Sequence, residues 1–182
     1  QGDWSSDVCS SDLYAPGPRA VQLLSDVVAT GNPEDRAQAI GSLTRLKAAG
    51  AAAKVAPLLS SPDRNMREVV LDYLIAAAPP QALDTVLQAL SVESEGKLLM
   101  LYVDYLAAAA DESDVAAKAM LPLLDHDRLD YNDKKKLVAA LGKVAPKSHD
   151  PSIKRLHGLI DGGDVDSLGL QSALTLRTLG DK

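Results

Sequence analysis

The sequence predicts an all-α fold, a right-handed α-solenoid of about five antiparallel helix pairs. Two similar stretches lie 32 residues apart, VLDYLIAAA at 70–78 and YVDYLAAAA at 102–110. Self-similarity at such a period is typical of stacked helical hairpins, each of which buries its apolar face only against its neighbours. Leucines continue the spacing along the chain, at Leu43, Leu74, Leu106, Leu141 and Leu174.

The first residues do not share this pattern. Residues 3–13 read DWSSDVCSSDL and have no apolar periodicity, and translation of a common sequencing adapter gives the same string. We therefore interpret 1–13 as a non-native leader and 14–182 as one repeat domain, and we expect the natural chain to continue upstream of Tyr14. Trp4 and Cys9 are the only tryptophan and cysteine, so the trimmed chain offers no cysteine nucleophile, disulfide or cysteine-ligated metal.

Composition limits the partners that the domain can attract. The chain has 19 basic and 25 acidic residues, and leaving out the three leader aspartates brings the net charge from −6 to −3. A mildly acidic chain has no general attraction for the phosphates of nucleic acid, and no apolar run approaches the ~20 residues of a membrane span. We therefore expect no nucleic-acid or membrane partner, and a cytoplasmic protein that is a monomer or part of a larger chain.

The first predicted pair joins a helix over 20–30 to a helix that is capped by Asn32 and runs from 33 to about 49. The first helix has apolar residues at i, i+3, i+4 and i+7, which form one face. Asn32 is a typical N-cap and is followed by Pro, Glu and Asp, residues that suit a first turn. Gly50 is the expected residue after the C-terminus of the second helix.

The other pairs repeat this scheme, with a turn residue at every break. Pro79 and Pro80 end the second pair because proline cannot continue a helix. The turn at 125–131 is the longest, and Gly162 with Gly163 forms the last turn. The pairs are predicted at 52–59 with 64–78, 81–90 with 94–110, 115–124 with 132–144, and 152–160 with 165–179.

One stretch carries a family resemblance. Residues 62–74, PDRNMREVVLDYL, resemble the second helix of a HEAT-like repeat, in which an aspartate and an arginine precede small apolar residues and a leucine. Residues 32–46 and 132–145 are similar, while Leu99 and Ser167 depart from the pattern by replacing the basic residue. The resemblance covers about 20–180 and implies a HEAT-like or armadillo-like superhelix that acts as a non-catalytic protein-binding scaffold.

The second helix of each pair is expected to line the concave side of such a superhelix. Glu68 and Asp72 point away from the packed stripe of their helix, and one period later Met100 and Asp104 take the same positions. Lys135 takes the corresponding position in the fourth pair. We therefore predict a partner-binding surface that is acidic in the middle, basic at its lysine end, and suited to a protein or peptide of matching polarity. The alternative is a solvated face without partner preference.

Two sets of side chains have both a structural and a functional interpretation. Tyr73 and Tyr105 could anchor a partner, but packing between repeats, with the hydroxyls at the rim, is the favoured interpretation. Arg36, Arg67 and Lys134 could bind phosphates or acids as a row, but pairing with acidic turn residues is favoured. These turn residues are Asp63, Asp130 and Asp133.

The sequence offers little for catalysis, so we predict no enzyme, no metal and no cofactor. His126, His149 and His157 are not at i, i+4 spacing, and no Ser–His–Asp arrangement or phosphate-binding loop can be placed. The rival class is enzymatic, because HEAT-like repeats also build DNA alkylpurine glycosylases and bilin lyases. A continuous basic groove would favour the glycosylase.

Overall fold

The computed structural model describes residues 17–161 and 167–180, and within these ranges it contains ten α-helices and no strand. The all-α prediction is thereby confirmed. The leader predicted at 1–13 and the turn predicted at Gly162 and Gly163 lie outside the described residues. The helices are α1 (Pro18–Thr30), α2 (Pro33–Arg45), α3 (Ala52–Val55), α4 (Arg64–Ala77), α5 (Leu83–Leu90), α6 (Gly96–Ala109), α7 (Asp114–Met120), α8 (Tyr131–Val144), α9 (Asp150–Asp161) and α10 (Ser167–Leu179).

Several segments predicted as single α-helices contain 3₁₀ turns. Pro57 and Pro122 lie in the first turn of the 3₁₀ segments Ala56–Ser60 and Leu121–Asp125. Proline has no N–H to continue the i→i−4 ladder, so the chain tightens into 3₁₀ turns at these positions. The other 3₁₀ turns are Ala49–Ala51 and Pro80–Ala82.

The N-cap predicted at Asn32 is present, and polar side chains cap three further described helices. The Asn32 side chain accepts a 2.9 Å hydrogen bond from the N–H of Asp35, and the Asp63 side chain accepts one of 2.9 Å from Asn65. Ser113 caps α7 in the same way. At α8, Asp130 and Asp133 form a reciprocal capping box, which moves the start of that helix to Tyr131. Such caps satisfy N–H groups that have no partner within the helix.

The end of α2 differs from the prediction. The helix ends at Arg45, not at 49, and Lys47 instead of Gly50 takes the left-handed conformation, with φ 48°. The N–H of Ala48 donates to the Leu43 carbonyl, and the N–H of Lys47 donates to the Thr44 carbonyl. These two bonds form a Schellman motif. Gly50 belongs to the following 3₁₀ turn.

The helices predicted as the second of each pair pack in chain order, α2 on α4, α4 on α6, α6 on α8 and α8 on α10. Among the segments predicted as the first of each pair, α1 contacts α3, the 3₁₀ segment Ala56–Ser60 contacts α5, and α7 contacts α9. Within the predicted pairs, α1 contacts α2, the segment Ala56–Ser60 contacts α4, α5 contacts α6, α7 contacts α8, and α9 contacts α10. The buried core lies between these two sets of helices.

Four of the five periodic leucines are fully buried: Leu43, Leu74, Leu106 and Leu141. The fifth, Leu174, is 51% exposed, whereas Leu176 and Leu179 nearby are buried. Among the described helices, α10 packs against α8 and α9. Leu174 therefore lies on a side of α10 that no other described helix covers.

The turn before α8 lies against the start of α6. A side-chain carbon placed on Gly96 would overlap the carbonyl oxygen of Arg128. The close approach of two backbones requires glycine at this position. The long turn predicted at 125–131 is therefore packed on the preceding pair.

Candidate binding surfaces

Glu68 and Asp72 lie one turn apart on α4, at its boundary with α6. Glu68 forms ion pairs with Arg64, at 3.4 Å, and with Lys97 of α6. The hydrogen bond from Lys97 holds the pKa of Glu68 below its ordinary value. Asp72 is exposed. Its pKa is raised above the ordinary value, mainly by desolvation and in smaller part by the negative charge of Glu68. The α4–α6 boundary is thus less acidic than predicted, because Lys97 adds a positive charge beside Glu68.

The remaining predicted residues lie on the next two second helices. Asp104 is exposed on α6, and Met100, one turn earlier, is half-buried against the core. Lys135 is half-buried on α8, where it lines a cavity of about 520 Å³ with Lys136 and Gln171. Among the described residues, no hydrogen bond or ion pair links Asp104 or Lys135 to the α4 carboxylates.

We call the exposed side of α4, α6, α8 and α10 the second-helix face. Acidic side chains lie on its α4 and α6 part, and lysines lie around the cavity between α8 and α10. Its residues include those predicted for partner binding, namely Glu68, Asp72, Met100, Asp104 and Lys135.

The two repeated tyrosines pack inside the protein. Both side chains are fully buried and both hydroxyls are bonded to carbonyl oxygens of the fold, so neither is free to anchor a partner. The Tyr73 hydroxyl donates to the Ala48 carbonyl and the Tyr105 hydroxyl donates to the Pro79 carbonyl, each at 2.7 Å. The hydroxyls are therefore satisfied within the fold and do not lie at a rim.

Arg67 pairs with a different carboxylate from the one expected. Its Nε donates a 3.0 Å hydrogen bond to Glu93, in the turn before α6, and its Nη1 donates to the Ser61 and Pro62 carbonyls. The Glu93 side chain is 5% exposed and that of Arg67 is 17% exposed. Burial raises the pKa of Glu93, but backbone N–H groups of Glu95 and Ser94 and the guanidinium outweigh it and hold the pKa low. The expected pairing partners are helix caps instead: Asp63, Asp130 and Asp133.

A cleft opens beside this ion pair, between the second and third helix pairs. It has a volume of about 240 Å³ and is lined in part by Arg67, Glu93 and Tyr102. The Tyr102 hydroxyl is buried and has no hydrogen-bond partner among the described residues. Burial raises the pKa of Tyr102 to about 12 and Glu93 adds to this rise, so the hydroxyl is a neutral donor at physiological pH. No sequence pattern indicates this site, because Tyr102 occupies the position of Val70 in the repeat.

The structure also brings together a serine, a histidine and an aspartate, which the sequence analysis did not place as a Ser–His–Asp arrangement. His149 Nδ1 lies 2.7 Å from Ser152 Oγ, and Nε2 lies 3.0 Å from Asp114 Oδ1. Ser152 is completely buried and lies in the first turn of α9. A nucleophile must reach a substrate, so this group is a structural contact that joins α9 to α7.

In the described residues, no group of three or more His, Cys, Asp or Glu side chains is suited to hold a metal ion. His126 accepts a hydrogen bond from the N–H of Arg128. None of the described helices has the length and apolar character needed to cross a bilayer.

Comparisons with protein-family models, curated proteins and solved structures found no significant match to the chain.

Proposed function

We propose that the chain is a right-handed α-solenoid of HEAT-like helix pairs and a non-catalytic scaffold that binds a protein or peptide. The partner lies across the second-helix face, which is the concave side of the superhelix. The ordered packing of α2, α4, α6, α8 and α10 supports the arrangement. Stacked pairs of this kind present an extended surface, and such surfaces are commonly used for binding.

The observation that carries the proposal is the distribution of charge along this face. Asp72 and Asp104 are exposed on α4 and α6, and Lys135 with Lys136 borders the cavity at α8. Neighbouring helix axes are ~8–10 Å apart, and α4 and α8 are separated by two such steps. A partner with a basic end toward α4 and an acidic end toward α8 therefore has complementary charges at both ends.

The partner's dimensions follow from the same spacing. An extended peptide spans the ~20 Å between α4 and α8 with ~6 residues, since each residue covers ~3.3 Å. Met100, half-buried between the charged ends, supplies an adaptable apolar contact in the middle. The proposed ligand is a segment with separated basic and acidic ends and a neutral or apolar centre.

The test uses a labelled peptide with two lysines at one end, two glutamates at the other, and ~6 neutral residues between them. A peptide of the same composition with alternating charges is the control ligand. Fluorescence anisotropy at low salt should show binding of the block peptide that is about tenfold tighter, because only this peptide matches both charged ends. The combined substitutions Asp72→Lys and Asp104→Lys should remove this preference.

A matched control variant distinguishes this surface from general charge effects. Lys118→Glu changes an exposed lysine on α7, outside the second-helix face, and should leave the preference intact. Equal affinity for the two peptides, or an unchanged preference in the Asp72→Lys, Asp104→Lys variant, would refute the proposed function.

A further inference from the structure

We propose that the cleft between the second and third helix pairs is a separate peptide-binding site, whose ligand is an uncharged main-chain carbonyl with an adjoining apolar side chain. The cleft is lined by none of the residues predicted for partner binding on the second-helix face. The proposal is therefore independent of the function proposed above.

The hydroxyl of Tyr102 has no hydrogen-bond partner among the described residues. The side chain is fully buried, and its hydroxyl is one of three buried polar side-chain atoms without a partner in the described residues. Buried polar groups in folded proteins are nearly always paired, so an unpaired one at a cleft requires an explanation. The two repeated tyrosines, Tyr73 and Tyr105, which are also fully buried, both donate to carbonyl oxygens. A carbonyl oxygen supplied by a ligand would give Tyr102 the same kind of acceptor.

The ion pair that lines the cleft favours an uncharged ligand. Arg67 and Glu93 line the cleft as an ion pair, and the Glu93 oxygens already accept hydrogen bonds from Arg67, Ser94 and Glu95. The pair has no net charge, and a ligand carboxylate would be repelled by Glu93 as much as it is attracted by Arg67. A neutral carbonyl avoids this repulsion and accepts from the Tyr102 hydroxyl.

A partly apolar cavity lies next to the cleft and can accept the apolar part of the ligand. A second cavity, of about 210 Å³, adjoins the cleft and shares Leu59, Ser60, Ala89 and Val92 with it. Pro57 completes its apolar wall, and Val92 is 83% exposed at the mouth. Each cavity is smaller than the ~300 Å³ typical of drug-sized ligand sites. The two adjoining cavities have room for an apolar side chain in one and its own carbonyl group in the other.

The binding test uses the full chain and the blocked dipeptide N-acetyl-leucyl-alaninamide at millimolar concentration. Two-dimensional ¹H–¹⁵N NMR should show saturable shifts of amides at 59–61 and 89–94. N-acetyl-aspartyl-alaninamide and the free acid N-acetyl-leucine should shift them at least about tenfold less at equal concentration, since each brings a carboxylate to Glu93. No saturable shifts with the leucyl amide, or equal shifts with all three ligands, would overturn the proposal.

Variants separate ligand binding from a structural role for the hydroxyl. Tyr102→Phe should leave Tm unchanged or higher, because it removes an unpaired polar group, and should weaken dipeptide binding about tenfold. Tyr105→Phe, the matched control, should lower Tm and leave binding intact. A lower Tm in Tyr102→Phe with unchanged binding would mean that a buried water satisfies the hydroxyl, and would overturn the proposal.

A variant at the mouth tests the site without changing the core. Val92→Glu alters an exposed side chain, so the fold should be retained while the dipeptide no longer binds. Binding that survives Val92→Glu would contradict a site at this cleft. The Asp72→Lys, Asp104→Lys variant should bind the dipeptide normally, which distinguishes failure of this site from failure of the second-helix face.

Discussion

The hydroxyl of Tyr73 donates a 2.7 Å hydrogen bond to the carbonyl oxygen of Ala48, in the turn that follows α2. Tyr105, one period later, makes the same bond to Pro79, in the turn that follows α4. Each tyrosine thus fixes a second helix to the turn at the end of the preceding second helix. The repeated sequence motif therefore corresponds to a repeated contact between neighbouring helix pairs.

Replacing either tyrosine by phenylalanine should destabilise the protein. Tyr73→Phe leaves the Ala48 carbonyl without its donor, and the expected loss in free energy of unfolding is about 1–2 kcal/mol. Tyr105→Phe should lose a similar amount, measured by urea denaturation with an unchanged m-value. Stability equal to that of the unsubstituted chain in both variants would mean that these bonds do not contribute.

Stability should also fall at alkaline pH. Burial raises the pKa of Tyr73 and of Tyr105 from 10.0 to about 12. Because the folded state holds these protons more tightly than the unfolded state, stability is complete below about pH 10 and decreases as the pH rises toward 12. Tm measured across this range should decrease less steeply in the Tyr73→Phe, Tyr105→Phe double variant. Equal slopes would contradict the assignment of the dependence to these two residues.

Gly96 should be intolerant of even a methyl group. Gly96→Ala forces the start of α6 away from the Arg128 carbonyl, and the expected cost is about 1–3 kcal/mol. Gly41, within α2, is the matched control, because no atom lies within 4 Å of a side-chain carbon placed there. Gly41→Ala should stabilise the chain by about 0.5–1 kcal/mol through helix propensity. Thermal melts of the two variants should thus move in opposite directions.

The Arg67–Glu93 ion pair should be costly to break. Arg67→Met leaves the largely buried Glu93 carboxylate without its partner, and the expected loss of stability is about 3 kcal/mol. Lys118→Met is the matched control, because Lys118 pairs with Asp114 on an exposed surface, and its stability should be nearly unchanged. Equal unfolding midpoints for the two variants would show that burial does not distinguish the pairs.

Much of the fold could be predicted because its elements follow local rules. Apolar periodicity identified the helices, and Asn32 identified the start of α2, since a capping side chain acts on the next few residues only. The end of α2 was predicted wrongly because the sequence favours glycine at a left-handed position, whereas Lys47 adopts it in the structure. Leu174 follows the leucine spacing but is exposed, because burial depends on a neighbouring helix that spacing alone does not show.

The candidate sites were less accessible to sequence reasoning. The positions of Asp72 and Asp104 follow from helix geometry, and both are exposed as expected. The partners of Glu68 and Arg67 do not follow from it, because Lys97 and Glu93 reach them from the next pair, 29 and 26 residues away. Tyr102 was not identified at all, since an unpaired hydroxyl becomes visible only when every neighbour has been placed.

The most direct test of the proposed stack is native-state hydrogen exchange on the Leu156→Ala variant. Leu156 is fully buried in α9, and its truncation should cost about 2–5 kcal/mol locally. If helix pairs interact only with their neighbours, exchange should accelerate in α9 and α10, less so in α7 and α8, and remain unchanged in α2 and α4. An equal acceleration in all helices would show a single closed core and contradict the solenoid.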